Sequence, residues 1–252
     1  MKAPDAEKER KAIIRNRIAD CIFLVPFLAM AAFSAYSFVM VGTNGMQTLM
    51  IGAVWSFLLI VSIIMGRRRF MLLGIIVNIF CLLVYYFIFS IPGGFGSTEQ
   101  WRYDYQRKYV DTIKNGHSDC FPDELPRDIS DYRIEYQPSF WQGTGHFRVH
   151  FRTSSEQLEQ YEKEYSAQAI YTIPLTDFYG GRTEVKEISP KAVVPYDGDK
   201  SLVVASDSDF WSGHEKGAAV YVVSAVHNWN HPHSGAVIIN KTEKMVEFTH
   251  LG

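Results

Sequence analysis

The sequence predicts a membrane protein in two parts: three N-terminal transmembrane α-helices, then an extracytoplasmic α+β domain whose mostly antiparallel sheet is covered by one helix. Three observations lead there. Residues 21–91 hold only three charges, Arg67, Arg68 and Arg69. Basic residues cluster before the first apolar run and after the second, with none in the connection between them. Beyond residue 118 the pattern runs strands, one helix, then more strands.

The apolar runs are CIFLVPFLAMAAFSAYSFVMVG (21–42), MQTLMIGAVWSFLLIVSIIM (46–65) and FMLLGIIVNIFCLLVYYFIFSI (70–91). Each is charge-free and, at about 1.5 Å rise per residue, long enough for a hydrocarbon layer about 30 Å thick. The first exceeds the apolar length of a cleaved signal peptide, and no small-residue cleavage site follows it. Lys2, Lys8, Arg10, Lys11, Arg15 and Arg17 precede it, and the three arginines follow the second run. Basic residues near span ends stay on the cytoplasmic side, so the N-terminus is expected inside and the C-terminal domain outside. The expected organisation is a basic cytoplasmic N-terminus (1–20), a three-helix transmembrane region (21–91), a linker with a juxtamembrane helix (92–117) and the extracytoplasmic domain (118–252). This is a multi-pass plasma-membrane placement with the lipid bilayer as partner. No ionisable residue lies inside the runs, which reads as an anchor and not an ion pathway.

In the second half, Thr98 and Gly116 bound an expected short helix. YRIEYQPSF and GHFRVHFRT alternate with period two around a Gln-Gly-Thr-Gly turn, as an antiparallel pair does. Ser154 with Gln157 resembles a capping box opening a helix whose Leu158, Tyr161, Tyr165 and Ala169 share one face. SLVVAS, AAVYVVSAV, GAVIIN and MVEFTHL then read as strands, with PYDGDK and KTEK as turns.

FPDELP (Phe121 to Pro126), YQPSFWQG (Tyr136 to Gly143) and SGAVIINKTEKMVEF carry a resemblance to uncharacterised membrane proteins of Gram-positive bacteria that have an extracytoplasmic domain after their spans. The resemblance implies a bacterial plasma-membrane setting. It implies no activity and transfers no functional residue.

Several function classes are disfavoured. Residues 99–252 hold 16 Lys/Arg against 23 Asp/Glu, a net of -7, with no arginine-rich stripe, so nucleic acid is not an expected partner. No G-x-x-x-x-G-K loop, G-x-S-x-G elbow or EF-hand pattern is present. Asp197 with Asp199 and Asp207 with Asp209 read as turn residues. Cys120 has no second cysteine within 118–252 to pair with.

Two constellations carry chemistry. HNWNHPH places His227, His231 and His233 in seven residues, and a loop can gather three imidazoles around zinc. The competing reading is a hairpin turn rich in Asn and Pro. Aromatic residues beside glycine place Trp141, Tyr179 and Trp211, with Trp229 in the histidine loop; their rings can stack on a sugar or peptide, or simply fill the core. The expected function is an integral membrane protein displaying a non-enzymatic ligand- or protein-binding domain, with no cofactor and an oligomeric state the sequence leaves open. The alternatives are a membrane-tethered metal-dependent hydrolase using the three histidines, and an accessory subunit of a transporter or envelope complex.

Overall fold

The computed structural model describes residues 7–11, 13–14, 35–42, 94–113, 118–139, 143–196 and 198–252. The chain divides into two compact units, Met1–Val39 with Asn44–Ser90, and Met40–Thr43 with Ile91–Gly252. In the first unit residues 7–11 are helical and exposed, and Lys11 pairs with Glu7 one turn earlier at 2.8 Å.

The expected transmembrane helices, and with them the multi-pass plasma-membrane placement, require correction. Among the described residues no helix is long and apolar enough to cross a membrane. Most of the three runs lies outside the described residues. Where the first run is described, its end is not continuous α-helix: Ser37–Val41 is a five-residue π-helical turn. A lack of charge satisfies the length test in sequence, but a span also needs an unbroken helix. Val41, counted in that run, is fully buried in the second unit, and its carbonyl accepts from Gln106 Nε2 at 2.9 Å.

The second unit is organised on one antiparallel sheet. Its strands are β1 (Phe95–Ser97), β2 (Ser130–Gln137), β3 (His146–Arg152), β4 (Tyr171–Pro174), β7 (Ala219–Val226), β8 (His233–Asn240) and β9 (Met245–Leu251). Among the described residues the order across the sheet is β1-β2-β3-β9-β8-β7-β4. Two short strands, β5 (Arg182–Glu184) and β6 (Ser201–Val203), pair separately. The helices are α1 (Tyr103–Ile113), α2 (Ser155–Gln168) and the single turn α3 (Ser208–Trp211).

Period-two side chains give the sheet two distinct faces. Tyr132, Ile134 and Tyr136 of β2, Phe147, Val149 and Phe151 of β3, and Val246 and Phe248 of β9 join one core. Tyr103 and Val110 of α1 and Leu158, Tyr161 and Tyr165 of α2 close that core. Phe121 stacks on Phe147 with centroids 4.4 Å apart, and Tyr161 meets Phe248 edge to face at 5.2 Å. Helix α2 starts where its cap demands: the Ser154 hydroxyl accepts from Gln157 N–H at 3.2 Å.

The opposite face is covered by the irregular segment between β4 and β7. Its apolar part joins Val220 and Val222 of β7, Ala236 and Ile238 of β8, Leu202 and Trp211. Towards β3 and β9 this face turns polar, and there the chemistry concentrates.

Candidate functional site

Residues 201–216 lie across the polar end of the sheet as the short strand β6, the single turn α3 and the links around them, so several of their carbonyls need partners from elsewhere. The sheet supplies them. Ser234 Oγ donates to Val203 O at 2.6 Å, Thr249 Oγ1 to Ala205 O at 2.6 Å, and Arg148 Nη1 to Ser206 O at 3.3 Å. Asn240 Nδ2 donates to His214 O at 2.8 Å and to Lys216 O at 3.2 Å. We call Ser201–Trp211 the strap.

At the centre of the strap is a buried charge cluster. Glu247, on the middle strand β9, is fully buried; its carboxyl accepts from Asp207 N–H at 2.9 and 3.1 Å and from Trp211 Nε1–H. Asp207 caps α3, with Oδ1 accepting from Asp209 N–H at 3.1 Å and Phe210 N–H at 3.4 Å. Its other oxygen faces Arg148 Nη2 at 3.6 Å and His150 Nδ1 at 3.5 Å. Arg148 also grips Glu135 of β2 with Nε at 3.2 Å and Nη2 at 2.7 Å. His146 lies 3.7 Å from Glu135, and the His150 ring stacks on Phe210 with centroids 3.8 Å apart.

These surroundings shift the titrating groups in opposite directions. Burial pushes Glu247 up to about 8, against the partial opposition of Trp211, Arg148 and the Asp207 N–H. Burial pushes His150 down to about 4, although Asp207 opposes it. Burial lowers His146 too, assisted by the Arg148 charge. Glu135 differs: burial works to raise it, but the hydrogen bonds and charge of Arg148 prevail and hold it below the ordinary carboxylate value.

The aromatic residues singled out from the sequence separate into different environments. Trp211 is 2% exposed and belongs to the core under the strap. Trp141 lies outside the described residues. Tyr179 and Trp229 are exposed at 94% and 64%, and Tyr196 and Val193 join them at 59% and 57%. Hydrogen bonds link three of these four, Tyr179, Tyr196 and Trp229. Gly180 and Gly181 both take positive φ, at 56° and 75°, making a tight turn in which Tyr179 and Arg182 exchange N–H···O bonds of 2.8 and 3.1 Å. Arg182 Nη2 then donates to Trp229 O at 3.3 Å, while Trp229 N–H donates to Asp199 Oδ2 at 2.8 Å. Asp199 N–H in turn reaches Tyr196 O at 3.3 Å, so these backbones form one connected rim.

The three histidines do not act as a group. His227 is fully buried, with Nδ1 against Ser201 O at 2.9 Å and Nε2 against the Tyr171 hydroxyl at 2.9 Å. That hydroxyl accepts from Ser189 N–H at 2.8 Å, so Tyr171 joins the histidine to the Ser189 backbone. His227 N–H also donates to Val193 O at 2.8 Å. His231 is exposed in the turn, within 3.3 Å of Asn230 Nδ2, and His233 opens β8 with an exposed side chain. Among the described residues no group of three His, Cys, Asp or Glu is placed to hold a metal ion. Cys120 is buried and donates to Thr249 O at 3.6 Å, and burial pushes its thiol up to about 12.

The charge cluster was missed in the sequence, yet it left two traces. His146, Arg148 and His150 alternate along β3, which places them on one face. Glu247 interrupts the apolar run of β9, where a lone carboxylate needs a partner. Compared with known proteins, the chain matches no family profile, no curated protein and no solved structure.

Proposed function

We propose that the second unit is a non-enzymatic binding module that takes a glycan on the rim of Tyr179, Tyr196 and Trp229. The observation that carries this reading is that the aromatic side chains are exposed while their backbones are pinned. Most large aromatics of this unit are in the core, whereas these three rings face solvent from a turn and two loops joined by Arg182 and Asp199. Exposed flat rings stack on the C–H faces of sugars, and neighbouring charged groups accept and donate to hydroxyls. Holding the rings before the ligand arrives lowers the ordering cost of binding. The buried His227 contributes to this preorganisation by fixing Ser201 O, Tyr171 and Val193 behind the rim.

The test is retention of the full-length chain on chitin, cellulose and xylan beads, followed by calorimetry with soluble fragments of whichever polymer retains it. Wild type should bind, and Tyr179→Ala with Trp229→Ala should reduce affinity at least tenfold while leaving the melting temperature unchanged. Retention no greater than that of serum albumin, or binding indifferent to the double substitution, would refute the glycan reading. Competition by peptides alone would redirect it to a peptide ligand.

A further inference from the structure

We propose that the strap Ser201–Trp211 is held to the sheet by a proton: the Glu247 carboxyl keeps it seated while protonated and loosens it on ionising. This inference stands on the charge cluster and is independent of the glycan reading. Glu247 meets the strap beside the bonds from Ser234, Thr249 and Arg148, and it alone of these four receives two strap donors, the Asp207 N–H and the Trp211 indole N–H. Oε2 lies within reach of both donors, so a proton on Oε1 gives up the 2.9 Å contact from Asp207 N–H to that oxygen but leaves each donor a bond to Oε2.

Charge balance sets the protonation. Every element packed against Glu247 can be named. The strap contributes the Asp207 carboxylate and the neutral Trp211 indole. Strand β3 contributes Arg148 and His150, with His146 further along, and beyond them β2 contributes Glu135, Arg133 and Asp131. On the other side β8 presents Ile238, the register partner of Glu247, which offers no charge. Arg148 is already divided between Glu135 at 2.7 Å and Asp207 at 3.6 Å. Glu247 is fully buried while Glu135 and Arg148 are partly exposed, so a carboxylate there would lack a cation of its own where water screens least, and an uncompensated buried charge is costly. The cluster therefore favours a neutral Glu247, and the burial that pushes this group up to about 8 acts in the same direction.

The sign follows by linkage. A carboxyl raised in the seated state binds a proton there that the released state has already lost, so seating weakens as pH rises from the ordinary carboxylate range towards about 8 and levels off above it. Hydrogen exchange of the full-length protein, read on peptides spanning residues 201–216 and corrected for intrinsic exchange rates, measures this directly. Strap protection should fall at least tenfold between pH 6.5 and 8, while peptides from α2 keep theirs. Glu247→Gln, neutral at every pH, should keep the strap protected across the range. An infrared band of a protonated carboxylic acid should be present in wild type at pH 6.5, lost by pH 9 and absent from the variant. Flat strap protection in wild type, an unchanged slope in the variant, parallel loss from α2, or no acid band at pH 6.5 would each overturn the proposal. The infrared band reads wild type alone, so the test survives even if the variant fails to fold.

Discussion

Towards α1 and α2, strand β3 presents Phe147, Val149 and Phe151; towards the strap, the same strand presents His146, Arg148 and His150. The first face meets helices, whose backbone bonds are satisfied internally, so side chains need only fill space. The second face meets a segment whose regular structure is limited to the short strand β6 and the single turn α3, and its carbonyls at Val203, Ala205 and Ser206 are met from the sheet. What covers a sheet thus decides what its residues must be. One face is held by shape and is indifferent to pH. The other is held by directional bonds and titrates.

The largest effect that would test this contrast is Phe147→Ala. It should cost about 3–5 kcal/mol in urea unfolding by the cavity it leaves, and the cost should be the same at pH 5.5 and 8. A pH-dependent cost would mean the two faces are not independent.

The polar face should dominate the pH profile of stability. Glu247, raised to about 8, contributes stability that is present at low pH and lost as pH rises through that value. His150, lowered to about 4, contributes stability that is present above the ordinary histidine range and lost as pH falls through about 4. Between them stability should be highest in mildly acidic solution, with each limb worth on the order of a few kcal/mol. Thermal melts from pH 4 to 9 check this: Glu247→Gln should abolish the loss above the ordinary histidine range and expose the rise contributed by His150 below it, and His150→Asn should make stability fall steadily from the ordinary carboxylate range to about pH 8.

Smaller still, Ser154→Ala should cost about 1 kcal/mol, since it removes the hydroxyl that caps α2, and it should leave the pH profile intact. Smallest of all, Tyr179→Ala should change stability by less than about 0.5 kcal/mol, because an exposed ring on a two-glycine turn contributes little to the core. A larger loss would assign the rim to structure in place of binding.

Much of the second unit was legible because it follows local rules. The alternation in GHFRVHFRT marks β3, and Ser154 with Gln157 marks the start of α2, since a cap and a period are properties of neighbours in sequence. The cover over the polar face was not legible. Glu247 and Asp207 are forty positions apart, and only the tertiary fold brings them together. The histidine stretch reads as a loop between two strands, and it joins β7 to β8; what spacing does not show is that His227 is buried against Ser201 O and the Tyr171 hydroxyl while His231 and His233 are exposed. The aromatic residues divided similarly. Trp211 and Trp229 look alike beside their turn residues, and burial alone separates a core indole from one on the rim. In the apolar runs the signal was composition, which establishes the absence of charge but not the continuity of a helix.

The seam between β3 and β9 joins His146 to Leu251 and Arg152 to Met245. On one side of it lie the locally paired strands β1, β2 and β3, and on the other β7, β8 and β9 form a meander of their own. Closing the seam requires the whole intervening chain to be gathered into a loop, an entropic cost that precedes any reward. Refolding should therefore be paced by this pairing, which spans more of the chain than the β1–β2 and β4–β7 pairings, in the millisecond-to-second range usual for non-local sheets. Arg148 and His150 from one bank and Glu247 from the other come together across that seam, so the contacts they make with the strap form only after the slow step and should govern the rate of unfolding more than the rate of folding.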